Sequence, residues 1–541
     1  MVRCRLTSGH LYSFMNMHLE PQIHHSGVTN LANRLAIAYD SLLELWQIWV
    51  SNLLRSELIG ALKSTNGKRM KNRGEGMGVK VTTIWGLLGV MALLSGCATN
   101  SIFSSYPSQV ENIKLQVSIG DFVGAQAVLA KKSMGADKML YLMERGRISQ
   151  MAGDTEASIQ DFQAVLDEFE AKEAAAKITA SGVTSGVGAV MLNENAIPYR
   201  GDVYERVFVH SFQALNFLGE RNLDAAAVEV RRANLEQKLA LQENENELIE
   251  AEEKDEKAKI LSENRGYESK FPALATIAGR VKNSFQNAYS FYISGLIYEI
   301  NGDANDAYID YKKALEIYPG NSYIRGDVAR LAKRLSMEED FEQIKDSVSP
   351  AKMASLEEGE GKLVVLYEQG YVPERQEVNV LFDIMGVPNN MVFPTYYERA
   401  LPNRSLVIGL AGDRLGETET VVQPSALAAR ALSDRLPGMI VRQGLRIIAR
   451  EKMKDNQINS AFGALAGLGQ FFLNRADLRS WLMLPAEVQI MHAPARHGEQ
   501  VLTLRNGSVS SDVVINIQPG RTTVVHVIEA GGQLHSRAVT I

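Results

Sequence analysis

Cysteine is nearly absent from this chain, with Cys4 and Cys97 the only two among 541 residues. Two thiols cannot build a disulfide framework, nor a zinc site by themselves. Histidine is sparse as well, and beyond residue 97 it occurs only at His210, His492, His497, His526 and His535. No HExxH motif or paired metal-ligand spacing accompanies these, so no metal is expected. A GxSxG elbow for a serine nucleophile is missing. Surplus basic charge is missing too: the formal net charge of -6 has the wrong sign for neutralising phosphates, which excludes nucleic acid as a general partner. No apolar run approaches the roughly twenty residues that cross a bilayer comfortably.

What the chain does have is an ordinary globular composition, 45% hydrophobic and 22% charged, over a length that implies two or three domains. Its most specific local signal lies at residues 70–97, MKNRGEGMGVKVTTIWGLLGVMALLSGC. The basic residues Lys71, Arg73 and Lys80 precede an apolar run from Val81 to Leu94. That run suits the core of a secretory signal. It ends in Leu94-Ser95-Gly96-Cys97, which resembles the lipobox of bacterial lipoproteins. Small Ser95 and Gly96 would let a peptidase reach the bond before Cys97, whose thiol is the nucleophile that takes diacylglycerol. Several acyl chains on one residue anchor stably, because each buried methylene contributes about 0.8 kcal/mol. The competing reading is a chance Leu-Ser-Gly-Cys in a core helix.

The expected order is therefore an upstream extension (1–69), a signal peptide (70–96), and a lipid-bearing tether (97–108). Translation would start at Met70 or Met77, and His10, His18, His24 and His25 would carry no metal chemistry in the mature protein. The covalent lipid on Cys97 is the only non-protein group expected. Ala98, rather than Asp, follows the cysteine. By the same resemblance this implies the outer membrane, with the protein facing the periplasm.

Residues 109–335 carry a helical pattern. Within Ala288 to Pro319, the side chains Phe291, Gly295, Tyr298, Ala307, Tyr311, Ala314 and Pro319 fall at the spacing of the tetratricopeptide (TPR) repeat. Small Gly295, Ala307 and Ala314 allow two antiparallel helices to approach, the aromatics fill the gap to the next pair, and Pro319 ends the second helix. Ser294 departs from the pattern, standing where a large aliphatic is usual. Weaker copies are expected around Gly120-Asp121, around Gly146, Gly153-Asp154 and Phe162, and around Ala214, Phe217, Ala226, Val230 and Ala233. One repeat cannot bury its own apolar face, so several stacked units are the economical reading, with a plain helical bundle as the alternative. The Gly182, Gly186 and Gly188 cluster lacks the Lys-Ser/Thr of a phosphate loop and reads as a connector. Residues 242–264 form a charged insertion, read as a solvated helix or protruding hairpin.

A linker is expected over 336–361, and then a β-rich region, 362–541. KLVVLYEQG, QEVNVLFDI and RSLVIGLAG read as strands. A helical insertion follows from about Pro424 to Met453, interrupted near Pro437, with Arg442, Arg446 and Arg450 near one face. Residues 460–473 are apolar, and either pack in the core or dip into the membrane. From Ala486 strands and turns alternate, which predicts a small antiparallel sheet closed into a sandwich by partners from 362–410. The fold class is thus α+β: TPR-like helices, then a mixed, mostly antiparallel β region.

The lipobox, PYRGDVYERVFVHSFQAL (Pro198 to Leu215), the repeat at 288–319 and ADLRSWLMLPAEVQ (Ala476 to Gln489) together resemble the uncharacterised TPR-bearing outer-membrane lipoproteins of Gram-negative bacteria. The resemblance covers nearly the whole mature chain and implies a possible link to peptidoglycan synthesis, with no catalytic residues to carry over. The expected function is a non-catalytic scaffold whose repeats dock an envelope protein. Two alternatives stand beside it: an accessory lipoprotein of an export or surface machine, and a glycan-acting enzyme. The enzyme would use Asp202 and Glu205 as acid and base. Asp477 and Arg479 are expected to pair across a strand face, and Trp481 to anchor the core rather than stack on sugar.

Overall fold

The computed structural model describes residues 104–132, 135, 137–181, 194, 197–250, 260–398, 405–454 and 475–541. Leu94, Ser95, Gly96, Cys97, the extension before them, the Gly182 cluster and residues 460–473 all lie outside the described residues, as does part of the 242–264 insertion.

Among the described residues, helices run in pairs joined by very short turns. The pairs are α1 (Tyr106–Ser118) with α2 (Phe122–Lys132), α3 (Lys138–Met151) with α4 (Thr155–Ser181), and α5 (Val203–Gly219) with α6 (Leu223–Glu250). After a short helix, α7 (Pro272–Ala278), come α8 (Ala288–Asn301) with α9 (Ala304–Ile317), and α10 (Ser322–Arg334) with α11 (Glu338–Ile344). Each turn is built alike. A left-handed residue stands at Gly120, Gly153, Arg221, Gly302 or Ser336. The next residue's N–H reaches back to a carbonyl in the last helical turn, as in Asp154 to Ser149 at 2.9 Å and Asp303 to Tyr298 at 2.8 Å. This closes the orphan carbonyls of the first helix. In three pairs the following Asp or Asn then caps the second helix: Asp121 accepts from the Gly124 N–H, Asp154 from Ala157 and Asn222 from Ala225. The repeat reading holds, and it extends past the expected units to the pair α10 with α11.

The segment expected as a linker contains α11 and one more helical turn, α12 (Pro350–Met353), before the first strand, β1 (Glu360–Gln369). A hairpin follows, β2 (Gln376–Ile384) with β3 (Val387–Thr395), then short strands β4 (Val407–Leu410), β5 (Asp413–Glu417) and β6 (Glu419–Val422). The long α13 (Pro424–Lys454) leads to β7 (Glu487–Arg496), β8 (Gly498–Asn506), β9 (Val509–Ile517), β10 (Thr522–Ala530) and β11 (Gln533–Thr540). Strand β3 escapes sequence reading because Pro388 and Pro394 interrupt its pattern, which a two-stranded hairpin with a free edge tolerates. Pro437 does not break α13, contrary to expectation. The flanking Leu436 and Ile440 are buried, and their burial offsets the lost backbone bond.

The strands form a five-stranded sheet in the order β11-β10-β1-β7-β6 and a four-stranded sheet in the order β5-β4-β8-β9. The C-terminal strands therefore do not make an antiparallel sheet by themselves. β1 inserts between β10 and β7, parallel to the first and antiparallel to the second, with Val364 opposite both Val524 and His492. Alternation along β1 explains its burial on both faces. Lys362 and Glu368 point one way and bond to helices, while Tyr367 points the other way and accepts from Asn506 of β8 at 2.6 Å. Helices, central sheet and second sheet form successive layers with a continuous apolar core.

Candidate interaction site

Local packing places every residue of the expected repeat. A Cβ on Gly295 would lie 2.6 Å from the Tyr311 ring, and one on Gly146 would lie 2.7 Å from Phe162. Both glycines stand seven residues before the left-handed turn residue, and both aromatics nine after it. In α5 and α6 the same places hold Ala214 and Val230, so a smaller aromatic-free pair fits there. Ala307 and Ala314 are fully buried at the helix contact. Phe291 is buried beneath the Lys313 ammonium, 5.2 Å from its ring centre. Tyr298 is half-buried, and burial raises its phenol pKa first of all. Pro319 lies two residues past the end of α9. Ser294, the departure from pattern, has its own reason. Its hydroxyl donates to Asp310 at 2.6 Å and accepts from Asn234 at 3.1 Å, tying α8 to α9 and α6 through a polar contact.

The first helices of the pairs share an inner face, and the β half closes it. The Glu144 carboxylate, fully buried on α3, accepts from the Tyr106 hydroxyl and from the backbone N–H groups of Leu482 and Met483. Burial pushes its pKa up to about 7 against the opposing pull of those bonds. Arg147 pairs with Glu368 of β1, which also meets His526 and Tyr289. Burial would raise the Glu368 pKa, but the Arg147 and His526 charges hold it low. Lys362 of β1 bonds to Asp327 at 2.9 Å and Glu299 at 3.0 Å. Arg330 bonds the same two carboxylates at 2.6 Å each, and His492 of β7 stands 3.0 Å from Asp327. Here too burial is overridden by neighbouring cations, which bring Glu299 down to about 2 and hold Asp327 low. Trp481 is fully buried, edge-on to Phe162 and Phe212. It anchors the junction between helices and sheet rather than the interior of a sandwich. The inner face, the natural docking surface of a free repeat array, is therefore filled by the chain itself.

The carboxylates considered for acid–base work are structural. Glu205 is fully buried and accepts from Tyr199, from the Trp481 N–H at 3.0 Å and from the Asp202 N–H at 2.9 Å. That last bond caps α5. Asp202 bonds to Arg435 at 2.9 Å and Arg375 at 3.4 Å. Both oxygens of each carboxylate have partners within the chain. Asp477 and Arg479 do pair, at 2.8 Å, although in an irregular segment rather than a strand. Arg479 also bonds to Asp137 at 2.7 Å and to the Glu194 and Ile197 carbonyls at 2.8 Å. The basic series on α13 divides: Arg442 pairs with Glu194 at 2.8 Å, and Arg446 is buried.

A groove that sequence reading missed opens between α6 and α9, a cavity of about 850 Å³. Its floor includes Leu235, Leu241, Phe291 and Ile317, and the loop before α8, the end of β6 and the start of α13 complete its walls. Arg231, Lys238, Arg280, Lys282 and Lys313 line it, all exposed, with Glu316 the acidic residue among its lining. Sequence holds no cue to this grouping, because the five cations come from three separate segments and only folding brings them together.

No protein-family model matches the chain, and no curated protein matches it significantly. Among solved structures, the TPR2AB-domain:pHSP90-complex of yeast Sti1 is similar at 13% identity, over 44% of this chain and 88% of that one, with a TM-score of 0.18. The helix pairs with their recurrent turns, followed by the strand-rich half, make this an α+β protein with a TPR-like helical half.

Proposed function

We propose that the chain is a lipid-anchored protein of the bacterial outer membrane, facing the periplasm, and that it acts as a scaffold for another envelope protein without catalysis of its own. The observation that carries the scaffold reading is the repeat array itself. Among the described residues, five helix pairs are stacked and braced by the β half, with an open groove between α6 and α9. The anchor reading is supported by Leu94-Ser95-Gly96-Cys97 after a basic flank and a short apolar run. A link to peptidoglycan synthesis follows only from the family resemblance.

The test is crosslinking in cells, followed by capture and mass spectrometry, on the natural chain and on Cys97→Ser. The expected outcome is one dominant envelope partner, with the protein in the outer-membrane fraction and the variant released from it. A folded, membrane-bound protein that captures no partner would remove the scaffold reading. A Cys97→Ser variant that stays in the membrane would remove lipid as the sole anchor.

A further inference from the structure

The two sides of the helical array differ in what covers them. The inner side is closed by β1, β7 and the segment around Trp481, whereas the groove between α6 and α9 is open. Five exposed cations surround that groove, although the whole chain carries a net charge of -6. We propose that this open groove is the partner-binding site, and that it takes an acidic segment of a partner protein with apolar side chains interspersed. The proposal rests on the scaffold reading above.

Charge complementarity selects the ligand. Arg280 pairs with Glu398 at the surface, where water screens the pair and an incoming carboxylate can replace it, whereas Lys313 meets the buried Asp310, which Ser294 and Asn234 also hold. Lys238 and Lys282 form no ion pair with any described residue. Five like charges around one cavity outnumber the counter-charges beside them and repel one another, and an anionic ligand relieves that repulsion. Shape selects a peptide over a lipid surface. The apolar side chains Leu235 (52% exposed) and Leu241 (37% exposed) lie within a walled cavity large enough for several side chains. A bilayer would need its basic groups on a flat or outward-curved face.

The experiment uses the full chain and a short fluorescein-labelled peptide of alternating Glu and Leu, read by fluorescence anisotropy. Binding should weaken with added salt, and replacing Glu by Gln in the peptide should abolish it. The double variant Lys238→Glu with Lys282→Glu should bind about tenfold more weakly. Both lysines are exposed, so the variant's melting curve should be unchanged. Arg231→Gln with Lys313→Gln tests the same groove through its other wall should the first variant unfold. Equal binding by both variants would overturn the proposal. So would binding to phosphatidylglycerol vesicles with none to the peptide. Peptide binding that appears only after the acidic residues of 243–256 are changed to amides would also overturn it, since the chain's own segment would then be the occupant. Capture of the same cellular partner by Lys238→Glu with Lys282→Glu would leave the scaffold reading standing and remove the groove from it.

Discussion

Single residues set how closely the helices pack. Gly295 and Gly146 leave room for Tyr311 and Phe162, and any side chain there must displace a fully buried ring. Gly295→Ala should destabilise by about 1–3 kcal/mol, and Gly295→Leu by more, in denaturant unfolding. Adding Tyr311→Leu to Gly295→Ala should recover part of that loss, because the colliding ring is gone; strict additivity would contradict the contact. Glu144 makes a separate, pH-linked prediction. Its folded pKa, about 7, lies above the value of 4.5 for a free carboxyl. Between those two values the folded state holds the extra proton, so this group's contribution to stability falls as pH rises from 4.5 to 7 and is flat above. Glu299, Asp327 and Glu368 have the opposite sign, with folded pKa values below the ordinary ones. Their contribution is present above about pH 4.5 and is lost as pH falls through the folded values. Glu144→Gln should therefore flatten the melting temperature between pH 4.5 and 7 while keeping the acid limb. An unaltered profile would show that Glu144 does not titrate there.

At the scale of elements, the turns carry the repeat. Two of the five left-handed positions are not glycine: Arg221 at φ 56° and Ser336 at φ 58°. A side chain at such a φ costs about 1 kcal/mol, so Ser336→Gly should stabilise by about 0.5–1 kcal/mol, visible as a higher denaturant midpoint. The second of these turns also explains why the last pair, α10 with α11, was illegible in sequence. The Gly-Asp signal that marks the turns at 120, 153 and 302 is absent from Arg221-Asn222 and Ser336-Met337, although the backbone does the same thing in all five. Between elements, the ties from helix to β1 are buried ion pairs. Arg147→Met would leave the Glu368 carboxylate buried with its main partner removed, and should cost about 3–5 kcal/mol. Adding Glu368→Gln should return much of it, which a chemical-denaturation double-mutant cycle would measure.

At the scale of the whole molecule, helices and strands depend on one another. Glu144, Glu205, Glu299 and Asp327 on the helices, and Lys362 and Glu368 on β1, are all satisfied across the boundary between the two halves. A chain ending at Leu356 would present the inner face to water with its carboxylates unpaired. It should lose cooperative melting and bind a hydrophobic dye, whereas a well-folded truncated chain would show the halves to be independent. The division expected near residues 336–361 follows a change of local pattern, but the core runs through it: α10 ends one side, β1 starts the other, and Lys362 joins them within a few ångströms.

The sequence by itself determined most of the helix pairs, because small residues and, in three of them, a turn glycine recur at fixed separations within one local unit. It likewise specified most strands, by alternation, and the motif at Cys97. Tertiary structure alone decided that β1 lies between β10 and β7, that Pro437 stays within a helix, and that Asp202 meets Arg375 and Arg435 while Glu205 meets the Trp481 N–H. It also decided that the inner face is filled and the basic groove is open. Each of these depends on contacts between separate elements or on burial that outweighs a local preference, and periodicity along a chain carries no record of either.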